Sequence, residues 1–294
     1  MSLSTTSSPE TNDSNIEIVT PVCHYEWTNK LTVNSVFRTQ WEKKMREEAD
    51  SDIETRNMIA ISLVGGLASE REYIANCLFR SKIITDDHSA INTGSFMTCF
   101  DSARFDNSLS SQQSVVVFNY ADDYLPQGYM FRVVQTFNIT KIVRFSMELS
   151  SIVILCYSHP HQHWTSEIDS IWEVYLHELT SEKINVTTCP ILILLELSAT
   201  CDKPISNEEC LIQFFSKHRK SIDGEIRHYF KEFYVWRLPH PNDPTSPTVC
   251  HSLVNELTQL FNELQSSKDI VFSRERWLFQ LDKLCLQLKL RQNV

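Results

Sequence analysis

The sequence predicts an α/β fold: a mostly parallel central sheet flanked by helices, with a C-terminal helical extension. Three observations lead there. Short apolar runs rich in β-branched residues recur at Met58–Val64, Ser114–Asn119, Ser151–Tyr157, Pro190–Leu197 and Lys231–Leu238. Their centres show little polar alternation, the pattern of strands covered on both faces. Helical periodicity fills the gaps between them, as βαβ units require.

The elements follow in order. Residues 1–15 are polar and low in complexity and predict a floppy tail. Residues 16–56 carry Tyr25, Trp27, Phe37 and Trp41, then the charged run Glu42–Asp52, and predict an arm or strand followed by a helix. The α/β domain spans 57–239. Within it, helices are expected over Ser69–Phe79, Met130–Met147 and Thr165–Leu179, and as a pair around Gly224 within Asn207–Phe230. A weaker strand is expected at Ser95–Phe100. No helix separates it from Val116, so these two runs predict an antiparallel hairpin. Residues 240–249 hold three prolines within His240–Pro247 and predict a loop. Residues 250–294 predict two amphipathic helices packed on the domain. Leu253, Leu257, Leu260 and Leu264 line the first, and Trp277, Leu281, Leu284 and Leu288 the second.

Composition excludes several function classes. With 27 Lys and Arg against 37 Asp and Glu, the net charge is −10, which argues against a broad direct grip on nucleic acid. The nine cysteines are odd in number and widely spaced, with no C-x-x-C. Most sit in apolar runs, where the free thiol behaves as a small hydrophobe, and they point to a reducing, cytoplasmic setting. The N-terminus has no apolar core of a signal peptide, and no apolar run is long enough to span a bilayer.

One motif is half present. Ile59-Ala-Ile-Ser-Leu-Val-Gly-Gly-Leu-Ala-Ser-Glu-Arg-Glu-Tyr reads as strand, glycine turn and helix, where a phosphate-binding G-x-x-x-x-G-K-[ST] loop would sit. The glycine lets backbone amides reach phosphate, the lysine neutralises it, and the hydroxyl binds magnesium. Counted from Gly66, the next required positions hold Arg71, Glu72 and Tyr73; counted from Gly65, they hold Glu70, Arg71 and Glu72. Neither frame supplies the set. Ser69-Glu70-Arg71-Glu72 instead fits an S-x-x-E capping box. Carboxylates at the mouth would repel a triphosphate, by ~4 kcal/mol per unit pair 4 Å apart at an effective dielectric of ~20. The magnesium-facing Asp expected after Val115–Phe118 is Asn119, and Leu197-Ser-Ala-Thr stands where a guanine-reading N-K-x-D would follow its strand. Thr93 alone carries no weight as a switch residue. The loop is therefore a degenerate P-loop, and no bound cofactor or metal is expected.

The order of segments resembles the SMG-nine family of nonsense-mediated mRNA decay factors, G-domain-like partners of the SMG-eight protein. The likeness rests on Val64-Gly-Gly-Leu-Ala-Ser-Glu-Arg-Glu at the strand and loop, Asn92-Thr-Gly-Ser-Phe-Met-Thr, and Val116-Val-Phe-Asn119. It continues through Phe145–Tyr157 to Trp164, then His251-Ser-Leu-Val-Asn-Glu-Leu and Phe272-Ser-Arg-Glu-Arg-Trp277. These span residues 58–290 collinearly. The resemblance implies a G-domain-like architecture, an SMG-eight-like partner in a heterodimer, and regulation of an SMG-one-like kinase. The family's nucleotide residues do not carry over, because Arg71, Glu72, Tyr73 and Asn119 replace them. The expectation is a non-catalytic adaptor, a pseudo-GTPase with neither direct nucleic-acid nor membrane contact. The alternative is a divergent nucleotide-binding GTPase or ATPase-like protein.

Other constellations are weaker. His159, His161 and His163 follow a buried strand near Cys156 and could hold zinc, but an exposed loop at the end of a strand is the simpler account. No G-x-S-x-G occurs, so a hydrolase is not expected. The acidic run Glu47–Glu54 reads as a solvated helix face or a surface for a basic partner. Lys217-His-Arg-Lys lacks interleaved aromatics and supports RNA binding poorly.

Overall fold

The computed structural model describes residues 20–25, 31–49, 57–65, 68–79, 95–102, 114–120, 141–159, 189–198, 229–239, 242–265 and 271–291. Its strands are β1 (Thr20–Tyr25), β2 (Leu31–Val33), β3 (Asn57–Val64), β4 (Ser95–Ser102), β5 (Ser114–Tyr120), β6 (Ile152–His159), β7 (Ile191–Ser198), β8 (Phe233–Pro239) and β9 (Phe272–Ser273). The helices are α1 (Ser35–Ala49), α2 (Ala68–Phe79), α3 (141–149), α4 (Ser246–Gln265) and α5 (Arg274–Arg291).

The strands form one mixed sheet in the order β2-β1-β4-β5-β3-β6-β7-β8. Strands β5, β3, β6, β7 and β8 are parallel, and the fold is α/β as the sequence predicts. The expected hairpin is the antiparallel β4–β5 pair. Two features go beyond expectation. Strands β1 and β2 extend the sheet antiparallel beyond β4, with β2 at the edge, and β9 pairs antiparallel with the amino end of β3. Both depend on pairing between segments far apart in sequence, which local patterning does not report.

Side chains on the parallel strands alternate between two cores. Met58, Ala60 and Val64 of β3 face one side, with Val153 and Leu155 of β6 and Leu192 and Leu194 of β7. Helices α1, α3 and α5 cover that side through Phe37 and Trp41, Val143 and Phe145, and Trp277 and Leu281. Ile59, Ile61, Leu63, Ile154 and Ile193 face the other side, covered by α2 and α4 through Ile74, Leu78, Leu257 and Phe261. Burial on both faces is why these strands read as unbroken apolar runs.

Caps set several helix starts. Asn34 Oδ1 accepts the amides of Val36 at 2.9 Å and Phe37 at 3.2 Å, which opens α1. Ser273 Oγ accepts the amide of Arg276 at 3.1 Å and opens α5. Helix α4 begins at Ser246, inside the expected proline loop. Pro247 stands in its first turn, where proline's missing N–H costs nothing. Helix α2 begins at Ala68, one residue before the Ser69 expected at its cap.

The C-terminal helix is tied down by Trp277. Its ring stacks on Phe118 at 4.5 Å and lies 5.0 Å from Trp41, and its Nε1–H donates to the Leu149 carbonyl at 2.8 Å. Among the described residues no helix is long and apolar enough to cross a membrane. Helix α3 is the later part of the helix expected over Met130–Met147; residues 121–140 lie outside the described residues. So do the tail over residues 1–15, Thr93, Lys217 and the helix expected at Thr165–Leu179. The helix pair expected within Asn207–Phe230 lies outside them too, apart from Tyr229 and Phe230.

Candidate functional site

Strand β3 is the point where the sheet's connections diverge. Strand β5 lies on one side of it and β6 on the other. In open α/β sheets the crevice at the carboxyl ends of such strands is where ligands bind. Gly65 follows β3 at this place. Its φ is +75°, and a Cβ there would meet the Cys156 carbonyl oxygen at 2.6 Å. Only glycine fits, because its φ and the close backbone approach both exclude a side chain.

The protein's own arginine lies buried at this end of the sheet. Arg71, the fourth residue of α2, is only 1% exposed. Its Nε–H donates to Asn119 Oδ1 at 2.7 Å, and its Nη1–H donates to the Gly65 carbonyl at 3.0 Å. Asn119 is near the carboxyl end of β5, in register with Leu63 of β3. Thus an arginine in the first turn of α2 bonds the asparagine near the carboxyl end of β5. A cation in the first turn of a helix works against the helix dipole by ~0.3–1 kcal/mol. Two hydrogen bonds from a charged donor, ~1.5–3 kcal/mol each, outweigh that.

Tyr73 points elsewhere. Its hydroxyl donates to the Pro239 carbonyl at 3.1 Å, at the end of β8, and also meets Ser246 Oγ at the start of α4. Desolvation raises its pKa above the usual tyrosine range. Glu72 is half-buried on α2. The structure therefore brings Arg71, Asn119 and Gly65 together and places Tyr73 in a separate contact with α4. Gly66 lies outside the described residues, as do His161 and His163; His159 ends β6. No cluster of three or more His, Cys, Asp or Glu able to hold a metal occurs among the described residues.

One covalent feature corrects the cysteine expectation. Cys77 of α2 and Cys250 of α4 form a disulfide, with Cα atoms 5.9 Å apart across 173 residues of sequence. Cys23, Cys99, Cys156 and Cys285 are buried thiols, and Cys189 is an exposed one. No spacing rule could have paired Cys77 with Cys250, because the packing of α2 beside α4 creates the proximity. Arg71 and Asn119 left a faint signal: a polar residue ends an apolar strand, and an arginine follows the glycine turn.

No protein-family model matches this chain, and no curated protein does. Among solved structures it is similar to a crystal structure of a variant of SsGBP, with a TM-score of 0.38 and 12% identity. The match covers 79% of this chain and 66% of that one, just under two thirds of its length.

Proposed function

We propose that this chain is a non-catalytic, G-domain-like adaptor in nonsense-mediated mRNA decay. It would act in the cytoplasm, pairing with an SMG-eight-like subunit to regulate an SMG-one-like kinase. The collinear resemblance of residues 58–290 to the SMG-nine family supplies the pathway and the partner. The observation that carries the non-catalytic part is Arg71, buried in the crevice and bonded to Asn119 and Gly65. A nucleotide phosphate entering there would have to displace the guanidinium. Breaking these two charged hydrogen bonds costs ~3–6 kcal/mol, against the ~7 kcal/mol of a ~10 µM ligand.

Two measurements test the proposal. Titration with fluorescent GTP and ATP should give no saturable binding below ~10 µM, and tighter binding would move the chain to the nucleotide-binding class. Affinity purification of the tagged chain from its native cells should recover an SMG-eight-like protein together with an SMG-one-like kinase. Recovery of neither would remove the assignment to mRNA surveillance.

A further inference from the structure

Helices α2 and α4 are joined at two successive rungs. Tyr73 meets Ser246, and four residues further along both helices Cys77 is bonded to Cys250. Matching steps of four put both rungs on one face of each helix. Cys77 and Cys250 are half-buried, whereas the thiols of Cys23, Cys99, Cys156 and Cys285 are sealed in the cores. Accessible disulfides are the ones that exchange with external thiols.

We propose that the Cys77–Cys250 disulfide is a reversible redox latch that clamps α2, and with it Arg71, against the carboxyl end of the sheet. This goes beyond the adaptor reading and does not depend on it. The reductant is a dithiol. One of its thiolates attacks one of the two sulfurs, breaking the S–S bond, forming a mixed disulfide and releasing the first protein thiolate. Its second thiolate then attacks the mixed disulfide, which releases the second protein thiolate and leaves the reductant as its own disulfide. Two electrons pass to the protein, and Cys77 and Cys250 each take up one proton.

The reduced form stays folded. Ile74, Ala75, Leu78 and Phe79 remain buried against the sheet, Tyr73 keeps its bond to the Pro239 carbonyl, and Arg71 keeps Asn119. What changes is the free energy for lifting α2 away from α4, since local opening is no longer restrained by a covalent bond.

The test uses the full chain, equilibrated either in oxidised glutathione or in dithiothreitol as the dithiol. Alkylation with mass mapping scores the pair, and amide hydrogen exchange reports on residues 68–79. On reduction, Cys77 and Cys250 become alkylated while the four buried thiols stay protected. Far-UV circular dichroism is unchanged, and α2 amides exchange at least about tenfold faster, with the distant helix α5 unaffected. Cys77→Ser and Cys250→Ser each reproduce the fast exchange in the oxidising buffer. If either variant fails to fold, reduction of the parent chain decides. Unchanged α2 protection would overturn the proposal. So would reduction that occurs only with loss of the dichroism signal, which would mark a permanent staple, or a pair found as thiols under oxidising conditions.

Discussion

Replacing Arg71 with alanine tests whether the guanidinium holds the crevice together. The substitution removes the donors to Asn119 Oδ1 at 2.7 Å and to the Gly65 carbonyl at 3.0 Å. Each bond from a charged donor contributes ~1.5–3 kcal/mol, and relief of the unfavourable helix-dipole term returns ~0.3–1 kcal/mol. A net loss of ~2–6 kcal/mol follows, large beside a typical total stability of ~5–15 kcal/mol. In urea, with a slope of ~2–3 kcal/mol/M, the unfolding midpoint should fall by about 1–3 M. Arg71→Lys should recover only part of the loss, because an ammonium is a point charge without the fork that spans two acceptors. Asn119→Ala and the double variant complete a cycle, with an expected coupling energy of ~1–2 kcal/mol. A loss below ~0.5 kcal/mol for Arg71→Ala, or strictly additive variants, would refute the argument.

Three further outcomes follow from the structure. Gly65→Ala places a methyl against the Cys156 carbonyl in a left-handed backbone conformation and should cost ~2–4 kcal/mol, read as a lower midpoint in urea; an unchanged midpoint would contradict the close approach. Trp277→Phe deletes the donor to the Leu149 carbonyl and part of the stack on Phe118, so calorimetry should show the melting temperature lowered by ~5–10 °C. Burial pushes the Lys141 ammonium down to about 8, whereas the unfolded chain holds that proton to ~10.4. Between those values the unfolded state binds more protons, so this residue's contribution to stability rises with pH. Lys141→Met should remove this rise, so its stability relative to the parent should fall between pH ~8 and ~10 in urea unfolding; a difference that stays constant over that range would contradict the assignment.

The sequence by itself determined the sheet's parallel block and the absence of the residues a phosphate-binding loop uses. Ile59, Ile61, Val116, Ile154 and Ile193 sit in short apolar runs rich in β-branched residues, the pattern of strands covered on both faces. Residues 71–73 and 119 are Arg, Glu, Tyr and Asn, so in neither frame do they spell the glycine, lysine, hydroxyl and aspartate set of the motif. Local patterning carries such facts because burial and side-chain chemistry act at each position. Tertiary structure decided the rest: that Arg71 turns inward to Asn119, that β1, β2 and β9 join the sheet, and that Cys77 meets Cys250 across 173 residues. Each of these is a contact between distant segments, set by how helices and strands stack in space, and spacing along the chain holds no record of it.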